Sequence, residues 1–306
     1  WIYRIRQPYY PHTGHSMQPR DRLPYSPIID RPRLTSPNGA RVIVWPIVNV
    51  EDWQIERAMP RQVLPPPTGV TTLPDIPNWA WHEYGMRVGF WRLKAALDQR
   101  GIVPTLSING NVCNRYPRVA QEAHDAGWEF MGHAFTQMPT HQVEDQAAMI
   151  QQTVDTIEGF TGKKPVGWLG PGLTQTYDSV DLLHPAGIRY IGDWCLDDQP
   201  CRLKAGSGEM VAMPYSVELN DIPMMAVQHH RSDVLLERIK DSFDRLYMEG
   251  GDHVRVMGIA VHPFLSGVPH RIKYFEQALD YIQGHSDVAF MTGAQILDWF
   301  DSQEQA

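Results

Sequence analysis

The sequence predicts an α/β fold: a (β/α) barrel of about seven parallel strands that follows an extended N-terminal arm. From Arg41 onward, short apolar runs typical of buried strands alternate with longer stretches of helical periodicity. The length of 306 residues suits one barrel with extensions, because barrels of this kind run to about 250 residues. Reactive side chains follow several of the apolar runs, and the carboxyl ends of parallel strands meet at one mouth. This pattern is typical of an enzyme.

Strands and helices are predicted in alternation along the chain. The strand signals cover residues 41–50, 102–110, 128–133, 166–170, 189–194, 210–216, 254–262 and 288–292. The helix signals cover residues 85–101, 116–127, 143–162, 177–187, 233–248, 271–284 and a final stretch near the C-terminus. Pro117 suits a first helical turn, and Gly101 and Gly127 suit helix ends.

The chain divides into an arm of residues 1–40 and a barrel of residues 41–306. The arm is rich in Pro, Arg and Tyr and has no apolar period, so it cannot form a core of its own. It lies either as a strap on its own barrel or as an arm exchanged with a neighbouring subunit, because ordering so much chain requires a docking surface. We expect a homo-oligomer, a dimer or tetramer, that is held through this arm.

Two long connections are predicted to border the mouth. Residues 51–85 lack a period and carry several aromatic residues, Trp53, Trp79 and Trp81 among them, which favours a lid or rim. Residues 194–209 form the second long connection.

Composition limits the classes of function. The net charge of −8 and the scattered Lys and Arg residues give no basic surface for nucleic acid. The longest apolar run, Val42–Val50, is too short to cross a membrane, which takes about 20 residues. The three cysteines, Cys113, Cys195 and Cys201, do not form the dense even set of a disulfide-stapled secreted domain. We therefore expect reduced thiols, a cytoplasmic protein and a small-molecule substrate, with neither nucleic acid nor membrane as a partner.

Glu51, His133 and His262 are the predicted catalytic residues, since each follows a strand-like run. A carboxylate at position 51 would activate water as a general base. His262 is followed by Pro263, which ends the strand. One of the two histidines would give a proton to a leaving nitrogen, and the other would hold the substrate or a metal. The trio suits hydrolysis.

Seven further residues are predicted to bind the substrate: Asn49, Asp52, Phe135, Gln137, Pro171, Asp193 and Trp194. Asn49 shares a strand face with Glu51. The glycines that flank Pro171 let the backbone approach a ligand. Asp193 is expected to orient a histidine, and Trp194 to form a pocket wall.

The spacing of the histidines bears on metal binding. Zinc sites commonly take two histidines three or four residues apart together with a carboxylate, but the residue four after His133 is Gln137. If a divalent metal such as zinc binds, Glu51, His133 and Gln137 would hold it, and this set is incomplete because an amide is a weak zinc ligand. Catalysis without a metal is therefore open as well.

The order of motifs between residues 41 and 299 resembles the polysaccharide deacetylase superfamily, the NodB-like deformed barrels of carbohydrate esterase family 4. The matching segments are VNVED, YGMRVGFWRL, GWEFMGHAF, GWLGPGLT, DDQP, LNDIP and IAVHPFLSGVPHRI. Deacetylases of this superfamily carry an aspartate base and an aspartate metal ligand in the first motif, and two histidines four residues apart in the second. Here Asn49 and Glu51 stand in the first pair, and His133 and Gln137 in the second.

These departures resemble the allantoinase-like and cyclic imide hydrolase-like branch, which has an incomplete metal set and acts on cyclic amides or ureides. The resemblance implies that Glu51 holds or activates water, that His133 lines the site and that His262 acts as the acid. The predicted function is hydrolysis of a non-peptide carbon–nitrogen bond, in a small cyclic amide such as a ureide or imide.

Two alternatives accompany this prediction. The first is a metal-dependent N-deacetylase of acetylated amino sugars or polysaccharide. The second is a barrel without catalysis that serves as a binding module. The sequence contains no GxGxxG after a strand, no P-loop and no GxSxG elbow, so nucleotide cofactors and serine catalysis are not expected.

Overall fold

The computed structural model describes residues 17–66, 69–70 and 72–303. Within these residues the strands are β1 (Val42–Val50), β2 (Thr105–Ile108), β3 (Glu129–Gly132), β4 (Gly167–Trp168), β5 (Tyr190–Ile191), β6 (Cys201–Ala205), β7 (Gly208–Ala212), β8 (Arg255–Val261) and β9 (Val288–Phe290). The α-helices are α1 (Pro19–Arg22), α2 (Ile76–Tyr84), α3 (Phe90–Asp98), α4 (Val112–Arg115), α5 (Pro117–Asp125), α6 (Gln146–Thr161), α7 (Ser179–Leu183), α8 (Val234–Glu249), α9 (Ile272–Gln283) and α10 (Gly293–Ser302).

The strands form one curled sheet in the order β6-β7-β5-β4-β3-β2-β1-β8, and β9 also pairs with β1. All neighbouring strands are parallel except the hairpin of β6 and β7. Every residue of β1 is buried, because a parallel strand is covered on both faces. The predicted α/β barrel of mostly parallel strands is therefore confirmed.

Pro46 lies inside β1, where a proline would normally leave a strand without a ladder hydrogen bond. The pairing of β1 with β9 ends at Val44, and its pairing with β2 begins at Ile47. The carbonyls of Val44 and Val50 accept bonds on the side of β9 and β2, so the backbone of residue 46 faces that same side. Pro46 thus falls in the gap between two partner strands, where no N–H is required.

Both long connections contain structure that the sequence pattern did not indicate. The end of the predicted 51–85 loop is helix α2, which continues through a π-helical turn at Gly85–Gly89 into α3. The predicted 194–209 loop contains β6. Trp53, which lies in the segment predicted as a lid or rim, is fully buried.

The described part of the arm lies on its own barrel. The buried guanidinium of Arg22 donates to both carboxylate oxygens of Asp181, at 2.7 and 2.6 Å. Arg31 donates to both oxygens of Asp197, at 2.9 and 2.5 Å. Residues 17–40 therefore form the strap. Residues 1–16 lie outside the described residues, and the exchanged arm and the homo-oligomer stay predictions.

No helix among the described residues is long and apolar enough to cross a membrane. Cys113, Cys195 and Cys201 are all free thiols, as expected.

Candidate active site

The carboxyl ends of β1, β3 and β8 bring three predicted residues together. Each strand is followed directly by one of them: β1 by Glu51, β3 by His133 and β8 by His262. All three side chains are buried. The Nε2 atom of His262 lies 3.5 Å from Oε1 of Glu51. The Nε2 atom of His133 lies 4.0 Å from the same oxygen. The site is thus centred on one carboxylate oxygen with an imidazole on either side.

Both oxygens of the Glu51 carboxylate are held by donors. The indole Nε1 of Trp53 donates to Oε2 at 2.5 Å, and Nε2 of Gln137 donates to Oε1 at 3.0 Å. Burial alone would raise the pKa of Glu51, but His262, His133 and the Trp53 hydrogen bond together lower it to about 2. Glu51 is therefore ionised at neutral pH.

His262 is oriented by Asp221, a fully buried carboxylate. Its Nδ1 lies 2.6 Å from Oδ1 of Asp221, and its backbone N–H donates to Oδ2 at 2.8 Å. The hydroxyl of Ser266 also donates to Oδ2, at 2.6 Å. Burial lowers the pKa of His262, but Asp221 and Glu51 outweigh it and raise the value to about 9. His262 therefore carries a proton on Nε2, facing Glu51, at neutral pH.

His133 differs from His262 in its protonation state. Its Nδ1 lies 2.5 Å from the carbonyl oxygen of Leu169, and a carbonyl only accepts, so Nδ1 carries the hydrogen. Burial lowers the pKa of His133 despite the neighbouring Glu51. The ring is neutral at pH 7, and its Nε2 presents a lone pair toward the space beside Glu51.

Asn109 joins the ends of two strands beneath the site. Its Oδ1 accepts from the backbone N–H of Asp52 at 2.8 Å, and its Nδ2 donates to the carbonyl of His133. Because both bonds are to backbone, Asn109 fixes the separation between the segments that carry Glu51 and His133.

Asp52 and Asn49 lie beside the trio and are both buried. Asp52 accepts from Nδ2 of Asn111 at 2.8 Å and lies 3.6 Å from Nε of Arg115. Asn49 donates from Nδ2 to the hydroxyl of Tyr215 at 3.5 Å.

Asp193 lies in a separate network after β5. Its Oδ1 accepts from the backbone N–H of Gly170 at 2.6 Å, and its Oδ2 accepts from Nε2 of Gln175 at 2.5 Å. Gln175 in turn accepts from the indole of Trp194 at 2.9 Å. Burial raises the pKa of Asp193 to about 7. The expectation that Asp193 orients a histidine was wrong, because its two oxygens bind Gly170 and Gln175, and Asp221 orients His262.

Pro171 and Phe135 are the two remaining residues that the sequence predicted. Pro171 is buried in the turn after β4, next to Gly170. Phe135 is half-buried, and its backbone carbonyl accepts from Asn111 at 2.9 Å.

Sequence reasoning missed Asp221, His82 and Asn109 as site residues. Nε2 of His82 lies 2.9 Å from the backbone oxygen of Glu51. Asp221 had a signal, since it stands in the segment LNDIP that matched the superfamily order. His82 and Asn109 had none of comparable strength, because each acts through backbone contacts made only in the folded barrel.

The donor set fits a divalent metal poorly. Among the described residues no group of three or more His, Cys, Asp or Glu side chains is arranged to hold one. The amide nitrogen of Gln137, not its oxygen, faces Oε1 of Glu51, as a carboxylate requires. Of the proposed ligands, only Glu51 and neutral His133 would suit a metal.

A groove of about 1580 Å³ lies elsewhere, between the strap, the 195–202 segment and β8. Glu51, His133 and His262 do not line it, so it is distinct from the strand-end site.

The chain is similar to known proteins in sequence. Residues 81–191 match the family model described as Polysaccharide deacetylase. A protein of Schizosaccharomyces pombe named "Putative polysaccharide deacetylase" is 24% identical over 93% of this chain and 94% of its own length. The Peptidoglycan deacetylase of Helicobacter pylori is 24% identical over 70% of this chain and 84% of its own.

Solved structures share the fold. The crystal structure of Puue Allantoinase superposes with a TM-score of 0.82, covering 95% of this chain and 99% of that one at 23% identity. A probable polysaccharide deacetylase from Pseudomonas aeruginosa PAO1 gives a TM-score of 0.79 over 90% of this chain and 96% of that one at 24% identity. The predicted NodB-like deformed barrel is confirmed.

Proposed function

We propose, for a chain that carries a polysaccharide deacetylase domain over residues 81–191, that it hydrolyses a non-peptide carbon–nitrogen bond in a small cyclic amide, such as a ureide or imide. The main observation behind this proposal is how Glu51 and His262 are placed and charged relative to each other. Their reacting atoms lie 3.5 Å apart, and their surroundings shift their pKa values in opposite directions, to about 2 and about 9. Such separation of two neighbouring titratable groups is the arrangement that acid–base catalysis needs.

The reaction follows from the protonation of the three side chains. A water molecule between Oε1 of Glu51 and the lone pair of His133 is aimed at the carbonyl carbon of the substrate. Glu51 takes one proton from the water while the water oxygen bonds to the carbonyl carbon. His262 then transfers its Nε2 proton to the ring nitrogen as the carbon–nitrogen bond breaks. The proton on Glu51 then passes to Nε2 of His262, 3.5 Å away, which restores both groups. One water is consumed, and the ring opens to a carboxylic acid and a free nitrogen group.

The low pKa of Glu51 is compatible with a role as base. That pKa is low because His262 is positively charged beside it. When His262 gives its proton to the leaving nitrogen, the positive charge disappears, and the proton affinity of Glu51 rises. Donation by one group therefore favours acceptance by the other.

The small size of the proposed substrate is supported by the burial of the three side chains. Glu51, His133 and His262 are each no more than 5% exposed, so the reacting atoms lie deep between strand ends. Such burial favours a small substrate over a long polymer. An allantoinase also shares this fold over nearly the whole chain.

The second candidate is an N-deacetylase of acetylated amino sugars. The family model and the names of two relatives favour it. The bond that it cleaves is also an amide, so the same base and acid would serve. The substrates differ in whether the cleaved amide lies in a ring or on a sugar.

The test is an assay of purified protein on allantoin, a cyclic imide and an N-acetylated sugar, before and after chelation, with elemental analysis of the same sample. We expect ring opening that survives chelation. Stoichiometric zinc with chelator-sensitive release of acetate would instead support the deacetylase. Glu51→Gln serves as the control for a binding module: a folded variant with unchanged activity would leave no role for the proposed base.

A further inference from the structure

We infer that Trp53, His82 and Phe264 form a positioning unit, here termed the aromatic clamp, that fixes the Glu51 carboxylate relative to His262. The inference rests on the proposed function, in which Glu51 is the base and His262 the acid. None of the three clamp residues needs to touch the substrate. Each acts through its contact with one of the two reacting side chains.

Trp53 sets the rotation of the carboxylate. The indole is fully buried, and its single donor bonds Oε2 of Glu51 at 2.5 Å. With Oε2 held there, Oε1 is the oxygen that faces His262 and His133. The indole thereby selects which oxygen meets the water and the acid.

His82 contacts both residues of the Trp53–Glu51 hydrogen bond. Its Nε2–H donates to the backbone oxygen of Glu51 at 2.9 Å, since a carbonyl only accepts. Its ring stacks on the Trp53 indole with centroids 4.7 Å apart and planes at 18°. One side chain therefore fixes the Glu51 backbone and the plane of the indole that binds the Glu51 carboxylate.

A packing role alone does not account for His82. The residue is fully buried, and its Nδ1 has no hydrogen-bond partner. An unpaired buried nitrogen costs free energy that an apolar ring of similar shape would avoid. The feature that a phenyl ring could not supply is the Nε2–H donor to Glu51.

Phe264 connects the clamp to the acid. Its ring contacts Trp53 at 5.1 Å and His82 at 5.5 Å between centroids, and it also lies 5.5 Å from the ring of His262. Gly85 permits this approach, because a Cβ there would lie 2.5 Å from the backbone nitrogen of Phe264. The base and the acid are thus packed on one aromatic wall.

Kinetics of two variants at position 82 test the clamp. His82→Phe keeps a ring on Trp53 and removes the donor, whereas His82→Gln keeps an N–H donor. We expect His82→Phe to lower kcat by about 10- to 100-fold with KM within about threefold, because small misplacement of reacting groups costs about that much. His82→Gln should recover most of the loss. Equal losses in both variants, no loss in either, or a loss confined to KM would overturn the clamp.

Trp53→Phe gives a second kinetic test if His82→Phe does not fold. It removes the donor to Oε2 and keeps an aromatic ring against His82. The same pattern is expected, a lower kcat with little change in KM. Unchanged kcat in a folded Trp53→Phe variant would overturn the clamp.

The indole N–H resonance of Trp53 supplies a readout that does not need activity. Trp53→Phe assigns it among the ten tryptophans. A short bond to a carboxylate should place this proton downfield, and both Glu51→Gln and His82→Phe should move it upfield, while His82→Gln should leave it near the wild-type position. If the chemical shift of this resonance is unchanged in both Glu51→Gln and His82→Phe, the clamp is overturned even in an active enzyme. The expected shifts in a protein that hydrolyses no amide would instead support the clamp and remove the proposed function.

Discussion

Glu51 and Glu129 are two glutamates of the same barrel with opposite electrostatic surroundings. Glu51 follows the carboxyl end of β1, whereas Glu129 begins β3 at the amino end of its strand. Burial raises the pKa of Glu129, against hydrogen bonds from Thr105 and Tyr190, each 2.7 Å long. Glu51 is buried more completely, but its hydrogen bond to His262 and the positive charge of that ring outweigh burial, and the pKa falls to about 2.

The difference shows that burial alone does not decide the direction in which the pKa of a carboxylate shifts in this barrel. Glu129 is surrounded by neutral donors, which stabilise its position and leave it without a proton-transfer partner. Glu51 lies between one charged and one neutral imidazole. In the proposed mechanism, the positive charge of His262, which Asp221 stabilises, distinguishes Glu51 at the mouth from Glu129 at the base of the barrel.

The largest expected effect is the loss of the base. Glu51→Gln should lower kcat/KM by about 10²- to 10⁴-fold, the range typical of a positioned acid or base. Glu129→Gln is the matched control and should keep kcat/KM of the folded protein within about threefold. Steady-state kinetics with circular dichroism on both variants test the comparison. A comparable loss in Glu129→Gln would remove the distinction between the two carboxylates.

The acid should come next in size. His262→Ala should lower kcat by about 10²-fold and change KM less, because the proton is delivered in the transition state. Separate measurement of kcat and KM tests this. A raised KM with normal kcat would place His262 in substrate binding.

Asp221 is expected to maintain the positive charge of His262. His262 has its pKa raised to about 9, so its proton is present below that pH and activity should fall as pH rises through it. Asp221→Asn removes the negative partner and should move this alkaline limb down by about 1–3 pH units. The measurement is kcat/KM against pH for both proteins. An unmoved limb would mean that Asp221 does not set the charge of His262.

The smallest effect is expected on stability at the base of the barrel. Glu129→Gln replaces an acceptor oxygen that faces Thr105 and Tyr190, and should lower the free energy of unfolding by about 1–3 kcal/mol. Because the folded pKa of Glu129 is raised, its contribution is full below the unfolded pKa and declines as pH rises through the folded pKa. Denaturant unfolding at several pH values should show a larger difference from wild type at acid pH. A difference that grows with pH would contradict the sign.

The sequence predicted the barrel and the strand-end trio because both follow from local patterns. Apolar runs mark strands, and a residue just after a parallel strand must lie at the mouth. Asp221 was missed as the partner of His262 because the two lie 41 positions apart and meet only when the segment before α8 docks beside β8. His82 was missed because its predicted loop is helix α2, whose last turn packs under Glu51.

Asp193 illustrates the opposite error. It follows β5 closely, as the sequence indicated, and it is buried. Strand position does not, however, specify which donors meet a side chain, and Gly170 and Gln175 occupy both oxygens. Hydrogen-bond partners depend on loop conformations that periodicity does not encode.

The pH dependence of kcat/KM, measured on metal-stripped protein, tests whether Glu51 and His262 suffice for catalysis. The substrate is the cyclic amide that the protein turns over fastest. We predict undiminished activity with a plateau through neutral pH and an alkaline limb near the His262 pKa of about 9. Stripped protein that is inactive and recovers only when zinc is restored would contradict the assignment of Glu51 and His262 as a sufficient catalytic pair.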